Sequence, residues 1–180
     1  MKLEDKIWLT RKCRIEASER LNRYDLISKI ILIYYSTFIL GISIYGLVFP
    51  NSNLSITLTI ASLLVLISSL FIASRNFKER SLMFKQCYIK LNQLLHQIKT
   101  LKTENDDYKN KLFYDYIEVL HLTENHSQYD YLKVKFFSDG GEDYLKIGWK
   151  EKISLFFIIA IRIIFVAFLL SIPIISIICF

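Results

Sequence analysis

The strongest constraint on this chain is a pair of charge-free apolar runs of 20 residues each, Ile30 to Phe49 and Ser55 to Ser74. Only the five residues 50–54 join them. A helix of about 20 residues matches the ~30 Å hydrocarbon core of a bilayer, and a helix satisfies its own backbone polar groups in lipid. The two runs therefore predict a transmembrane helical hairpin in an integral membrane protein.

A third apolar run carries a single charge, Arg162. The predicted fold class is an all-α integral membrane protein, with a long cytoplasmic helical extension of the hairpin, a small helical cytosolic segment and a third C-terminal transmembrane helix. The predicted regions are an amphipathic cytoplasmic helix over 1–29, the hairpin over 30–74 with spans 30–49 and 55–74, a cytoplasmic helical region over 75–152 and a third span over 153–180.

The distribution of positive charge predicts the orientation. Lys and Arg number 8 in residues 1–29, none in 50–54 and 14 in residues 75–152. Because cytoplasmic flanks of membrane helices are enriched in Lys and Arg, both charged segments are expected in the cytoplasm, and the hairpin turn and Phe180 outside. Tyr34 and Tyr35 are expected in an interfacial aromatic belt. We therefore expect a multi-pass membrane protein, with the lipid bilayer as its first partner.

Several classes of function find no support in the sequence. The net charge of +6 is the excess that membrane flanks ordinarily carry, so direct nucleic-acid binding is not expected. Three cysteines without short spacing give no zinc motif. The acidic turn at residues 139–143 does not fit an EF-hand. Without a phosphate loop, nucleophile elbow or ligand cluster, we expect no enzyme activity, no metal and no cofactor.

The helical pattern after span two predicts a long rod. No Gly or Pro occurs from Ser55 through Leu101, which allows one helix of 47 residues. Beyond a polar break, a second helix around 108–120 should fold back on the rod, and a short helix or strand is expected over 129–137. The rod carries an apolar stripe at alternating steps of three and four, which predicts an oligomerisation seam. Its members are Phe84, Cys87, Leu91, Leu94, Ile98 and Leu101.

Within span two, small and hydroxylated side chains recur at similar spacing. This seam either lets helices pack closely or lines a wet path. Its polar members are Ser55, Thr59, Ser62 and Ser69. Arg162 has two readings as well, because a charge inside a span either faces protein or water, or extends its head toward the interface.

Two short motifs flank the hairpin. Residues 14–21 read Arg-Ile-Glu-Ala-Ser-Glu-Arg-Leu, and Glu124-Asn125-His126 precedes Asp130-Tyr131. With the hairpin, this arrangement over about residues 10–135 resembles the SLATT family, the SMODS- and SLOG-associating two-transmembrane effector domains of prokaryotic conflict systems. The resemblance singles out Arg14, Glu16, Arg20, Glu124, Asn125, His126 and Asp130.

The resemblance implies a homo-oligomeric effector of antiviral defence in the bacterial inner membrane that forms membrane pores and causes abortive infection. It also implies a partner sensor from a neighbouring gene, such as a nucleotidyltransferase, a SLOG protein or a reverse transcriptase. The third span departs from the two-span name. The sequence fits an alternative almost as well, in which the spans only anchor a cytoplasmic scaffold or sensor that recruits a partner.

Overall fold

A computed structural model of the chain describes residues 2–50, 52–100, 106–138 and 145–179, and in these residues it is all helical, as the sequence predicts. Three of the helices are long and apolar enough to cross a membrane. The helices are α1 (Leu3–Val48), α2 (Ser52–Ser74), α3 (Phe77–Thr100), α4 (Asp106–His121), α5 (Gln128–Phe137) and α6 (Trp149–Cys179).

The helices form two compact units. The first contains residues 1–22 and 78–158, and the second contains residues 23–77 and 159–180. Helix α1 contributes to both units, because its 46 residues include no proline and the apolar span simply continues the amphipathic N-terminal part. The N-terminal helix and span one are therefore a single uninterrupted helix.

The first unit is organised around α3. The apolar stripe of α3 packs with Ile7 of α1 and with one face of α4. The α4 residues Leu112, Tyr116 and Val119 recur at three- and four-residue steps, so they share that face. Tyr116 also places its hydroxyl 2.9 Å from Thr10 Oγ1 of α1. The expected return of the second helix onto the rod is confirmed.

The second unit contains the hairpin and most of α6. A Cβ atom at Gly46 would lie 3.3 Å from Leu54 Cδ2, so a side chain there would crowd the start of α2. The glycine thus permits a close approach between the two helices of the hairpin. Leu54 is the one buried side chain of α2.

The expected rod is interrupted between α2 and α3. Helix α2 ends at Ser74, and Asn76 has a φ of 47°, in the left-handed region, before α3 begins at Phe77. Asparagine is the residue other than glycine that most readily ends a helix in this way, so the sequence allowed the break although it contains no Gly or Pro here. The acidic turn at residues 139–143 lies outside the described residues.

Candidate functional site

Helix α5 begins with a reciprocal cap. The backbone N–H of Asp130 donates to Ser127 Oγ at 3.4 Å, and the backbone N–H of Ser127 donates to Asp130 Oδ2 at 2.9 Å. The Ser127 hydroxyl also donates to Asp130 Oδ2. Ser and an acid three residues apart form a capping box, which satisfies N–H groups that a helix start leaves unpaired. The cap therefore fixes where the Asp130 carboxylate points.

The same carboxylate binds Arg20 of α1 through two parallel hydrogen bonds. Arg20 Nε donates to Oδ1 at 2.8 Å and its terminal nitrogen donates to Oδ2 at 2.9 Å, while Asp130 is fully buried. Two parallel N–H donors match the geometry of a carboxylate and fix both groups in one plane. A second pair lies alongside, since Lys133 donates to Glu16. Two ion pairs thus hold α5 against α1.

Arg14 lies deeper in the first unit and is only 1% exposed. Its guanidinium donates to the backbone carbonyl of Glu124 and lies 5.3 Å from the ring centre of Phe84. Burial lowers the pKa of Arg14, yet a guanidinium keeps its proton at any ordinary pH. Arg80 of α3 donates to the Glu124 carboxylate at 2.7 Å. The connection between α4 and α5 is therefore fixed to both α1 and α3.

His126 lies beside this network. Burial lowers its pKa from the ordinary 6.5, and the positive charge of Arg14 lowers it further. Its Nδ1 atom is buried and has no hydrogen-bond partner within the described part of the chain. Asn125, by contrast, is exposed. The structure thus brings six of the seven motif residues into one polar cluster, comprising Arg14, Glu16, Arg20, Glu124, His126 and Asp130.

The far end of α5 connects to α6. Lys135 donates to both oxygens of Glu151 at 3.0 and 2.9 Å, and the backbone N–H of Gly148 donates to Glu151 Oε2 at 2.9 Å. Hydrogen bonds from Lys135 and Gly148 lower the pKa of Glu151. The ten-residue helix α5 therefore joins α1 at its start to α6 at its end.

The stripe of α3 does not form the expected seam between copies. Phe84, Cys87, Leu91 and Leu94 are buried within the chain's own first unit, and Ile98 packs against the same core. Helices α1 and α4 cover these side chains, so the stripe serves intramolecular folding. Leu101, the last expected member, lies outside the described residues.

Most of the hydroxyl seam of α2 lies off the face that α2 uses for packing. Ser55, Thr59 and Ser62 are exposed in the chain, and Ser69 is half-buried. The more buried positions of α2 follow a neighbouring line, which Ser69 joins: Leu54, Leu58, Ala61, Val65, Ser69 and Ile72. Close packing inside this hairpin therefore uses Ser69 and leaves the other three hydroxyls of the seam uncovered.

Arg162 lies on the more buried face of α6, with its guanidinium carbon 5.5 Å from the ring centre of Tyr24 in α1. Tyr24 precedes the apolar span of α1, which starts at Ile30. The head of Arg162 therefore contacts protein, at a residue that closely follows the charged N-terminal half of α1. A cation over an aromatic face is also a favourable contact.

The structure offers neither a reactive cysteine at Cys13 nor, among the described residues, a metal site. Burial raises the pKa of the Cys13 thiol to about 12, and Cys87 is buried as well. The Cys13 thiol is therefore not a reactive thiolate at neutral pH. Among the described residues, no group of three His, Cys, Asp or Glu side chains is placed to hold a metal ion.

The family model described as SMODS and SLOG-associating 2TM effector domain family 5 matches residues 1–180. The chain belongs to the SLATT family. The match covers the third apolar helix, so this helix is part of the matched region although the family name counts two. No curated protein and no solved structure matches the chain. Membership supports a role as a membrane effector in prokaryotic conflict systems.

Sequence reasoning missed the residues that complete the polar cluster. Lys133 and Lys135 of α5 face α1 and α6 respectively, and Ser18 and Ser81 exchange buried hydrogen bonds between α1 and α3. The spacing Ser127 to Asp130 was a readable sign of the cap. Nothing in the sequence showed which carboxylate each lysine would meet.

Proposed function

We propose that this SLATT chain is a membrane effector of antiviral defence that assembles into a homo-oligomeric pore on infection and so causes abortive infection. The proposal places it in the bacterial inner membrane, with the N-terminus and first unit in the cytoplasm and the C-terminus outside. The positive-inside bias of 8 and 14 Lys and Arg against none in 50–54 supports this orientation.

The observation that carries the proposal is the exposed hydroxyl seam of α2. From Ser55 to Ser69 it extends ~21 Å along the helix, which is most of the hydrocarbon thickness. The hairpin and α6 leave three of its four polar members uncovered. A row of hydroxyls of which three are not used for packing inside the chain is suited to face water in an assembly of several copies.

Activation would begin with a partner that binds at the polar cluster. Helix α5 is tied to α1 by Asp130 and Lys133 and to α6 by Lys135. Both α1 and α6 continue as apolar helices. A partner sensor that shifts α5 would therefore act on two spans at once. The partner is proposed to be the product of a neighbouring gene, such as a nucleotidyltransferase or a reverse transcriptase.

A second candidate, a membrane-anchored scaffold, is favoured by a different observation. The hydroxyls of Thr59, Ser62 and Ser69 donate to carbonyls of their own helix at 2.9, 2.8 and 2.7 Å. Such internal bonds make serine and threonine tolerable in lipid without any water. In that case the seam would have no role beyond anchoring.

Replacing single serines distinguishes the two functions. Ser62→Leu or Ser69→Leu should reduce ion flux strongly in a pore and leave recruitment by a scaffold unchanged. Ser68→Leu is the matched control for Ser62→Leu, because both serines are exposed on the same helix and Ser68 lies about 120° around the axis from Ser62. Flux is measured in bacteria that express each variant at equal membrane level, with the sensor partner present. Equal flux in all three variants would contradict a pore lined by this seam.

A further inference from the structure

Helix α6 contains a proline within its apolar part. Pro173 lies inside the helix and is fully buried. Proline has no N–H, so the carbonyl four residues earlier, that of Leu169, loses its helical donor. A carbonyl without a donor is costly in hydrocarbon, and prolines in membrane helices persist where neighbouring groups satisfy the freed backbone.

Two tyrosines of α1 supply donors at this place. The Tyr35 hydroxyl donates to the Leu169 carbonyl at 2.7 Å, and the Tyr34 hydroxyl donates to the next carbonyl, that of Leu170, at 3.2 Å. The carbonyl that Pro173 deprives of a donor is thus the one that receives the shorter bond. The two rings meet edge to face with centroids 5.9 Å apart, which restrains both.

The sequence predicts these tyrosines in an interfacial belt, and the structure adds that their hydroxyls bind carbonyls of a neighbouring helix. Arg162 over Tyr24 is a second contact between the same two helices. The contacts occur in the same order along both helices, Tyr24 then Tyr35 on α1 and Arg162 then Leu169 on α6. The two helices therefore run parallel.

We propose that Tyr35, with Tyr34, and Pro173 form a clasp that fixes the register of α6 on α1, and that opening this clasp releases α6 during activation. The hydrogen bond selects the register, because apolar side chains gain little free energy when they exchange lipid for protein. The freed carbonyl of Leu169, by contrast, accepts a hydrogen bond only where the Tyr35 hydroxyl lies opposite it. The second half of this proposal rests on the proposed pore function, and the first half does not.

A double-mutant cycle tests the clasp itself. The full chain is unfolded in detergent micelles by added SDS, and energy transfer between dyes attached at the outer ends of α1 and α6, both in the second unit, reports the folded fraction. Tyr35→Phe should lower the ratio of folded to unfolded chain roughly fivefold, the effect of one hydrogen bond of ordinary net strength. Alanine at position 173 restores the helical N–H, so in the Pro173→Ala background Tyr35→Phe should have no effect.

Tyr45→Phe is the matched control, because Tyr45 lies on the same helix and its described contact is the Phe49 ring rather than a carbonyl. An equal effect of Tyr35→Phe with and without Pro173, or an effect no larger than that of Tyr45→Phe, would overturn the clasp.

A second measurement does not depend on Pro173→Ala folding. The sequence contains three Leu-Leu pairs, 63–64, 94–95 and 169–170. Labelling leucine with carbonyl ¹³C and amide ¹⁵N therefore gives three one-bond correlations in solid-state NMR of the chain in lipid. Tyr35→Phe should move the carbonyl shift of one correlation to lower frequency and leave two in place. Three unmoved correlations would contradict the bond to Leu169.

The activation half is tested by ion flux without the partner. If the clasp restrains α6, Tyr35→Phe should raise basal flux several-fold over wild type, and Tyr45→Phe should leave it unchanged. An unaltered flux in a chain that conducts when its partner is present would overturn the restraining role. If the wild-type chain does not conduct even with its partner, the proposed pore has failed, and the cycle and the NMR shift still decide whether the clasp exists.

Discussion

The first unit keeps charged side chains inside, whereas the second unit has few to bury. The sequence of the second unit holds five charged residues, Arg23, Asp25, Lys29, Arg75 and Arg162, in two stretches that are otherwise apolar or uncharged. In the first unit, Arg14 and Asp130 are buried and Arg20 is nearly so. Specific contacts in one unit therefore depend on charge pairs, and in the other on hydroxyls and backbone carbonyls.

The difference fits the proposed placement of the first unit in water and of the second unit in lipid. In water, apolar burial supplies the stabilising free energy, and buried ion pairs select one arrangement of the helices. In lipid, apolar side chains do not distinguish a neighbouring helix from an acyl chain, so a freed carbonyl such as that of Leu169 gives the specific contact. Substitutions that act on one kind of contact should leave the other unit's contacts intact.

The largest expected effect is the loss of the buried carboxylate of Asp130. Asp130→Asn should lower the free energy of unfolding of the full chain in detergent by about 3 kcal/mol, because it removes one partner of a buried ion pair. Thermal unfolding followed by circular dichroism measures it. Asp25→Asn is the control, since Asp25 pairs with the largely exposed Lys29 four residues along the same helix and should cost ~0.5 kcal/mol or less. Equal losses of unfolding free energy in both variants would contradict the proposed difference between the two units.

The next largest loss of stability should come from a cavity in the core of the first unit. Leu91 is fully buried in the first unit, and Leu91→Ala should cost about 3 kcal/mol through lost burial and an unfilled cavity. Leu66 is 55% exposed on α2 and faces away from its own chain, so Leu66→Ala should change stability in detergent by less than ~0.5 kcal/mol. A large effect at Leu66 would reveal a packing partner for that face.

Acid should weaken the first unit through His126. Its pKa in the folded chain lies below the ordinary 6.5 because burial, and then Arg14, disfavour the charged ring. The unfolded chain therefore binds this proton more readily. The contribution of the neutral His126 ring to the free energy of unfolding is thus complete above pH 6.5 and is lost as pH falls below it. The fall in melting temperature from pH 7.5 to 5.5 should be smaller in His126→Gln than in wild type. An identical pH slope would show that His126 is not the group responsible.

The smallest effect concerns the junction between α2 and α3. Asn76 has a positive φ, which glycine adopts freely and alanine adopts at a cost of about 1 kcal/mol. Asn76→Gly should leave the melting temperature within a degree or two, while Asn76→Ala should lower it by several degrees. An increase in melting temperature with alanine would mean that α2 and α3 prefer to join into one helix.

The sequence predicted the elements well and their partners poorly. Apolar length determined the three spans, and the three- and four-residue steps located α3 and α4, because these patterns arise from burial alone. The α3 stripe was real, but periodicity does not say whether its cover is α1, α4 or a second copy. The break at Asn76 depended on a single φ angle that several residue types tolerate.

The candidate site shows the same limit. Family motifs pointed to Arg20 and Asp130, and the structure shows them in one ion pair. The contact between Tyr35 and Leu169 was hidden, because its acceptor is a backbone atom that only Pro173 makes available. A sequence gives the side chains, whereas this contact requires knowing which two helices lie together.

The most direct test of the proposed pore is the membrane potential of bacteria that express the full chain with the proposed partner sensor, followed by a voltage-sensitive dye after the sensor is triggered. A pore should depolarise the cells rapidly before viable counts fall, and this response should be lost in Ser62→Leu but not in Ser68→Leu. A steady potential in triggered cells that contain the chain in their inner membrane would contradict it and leave the spans as anchors.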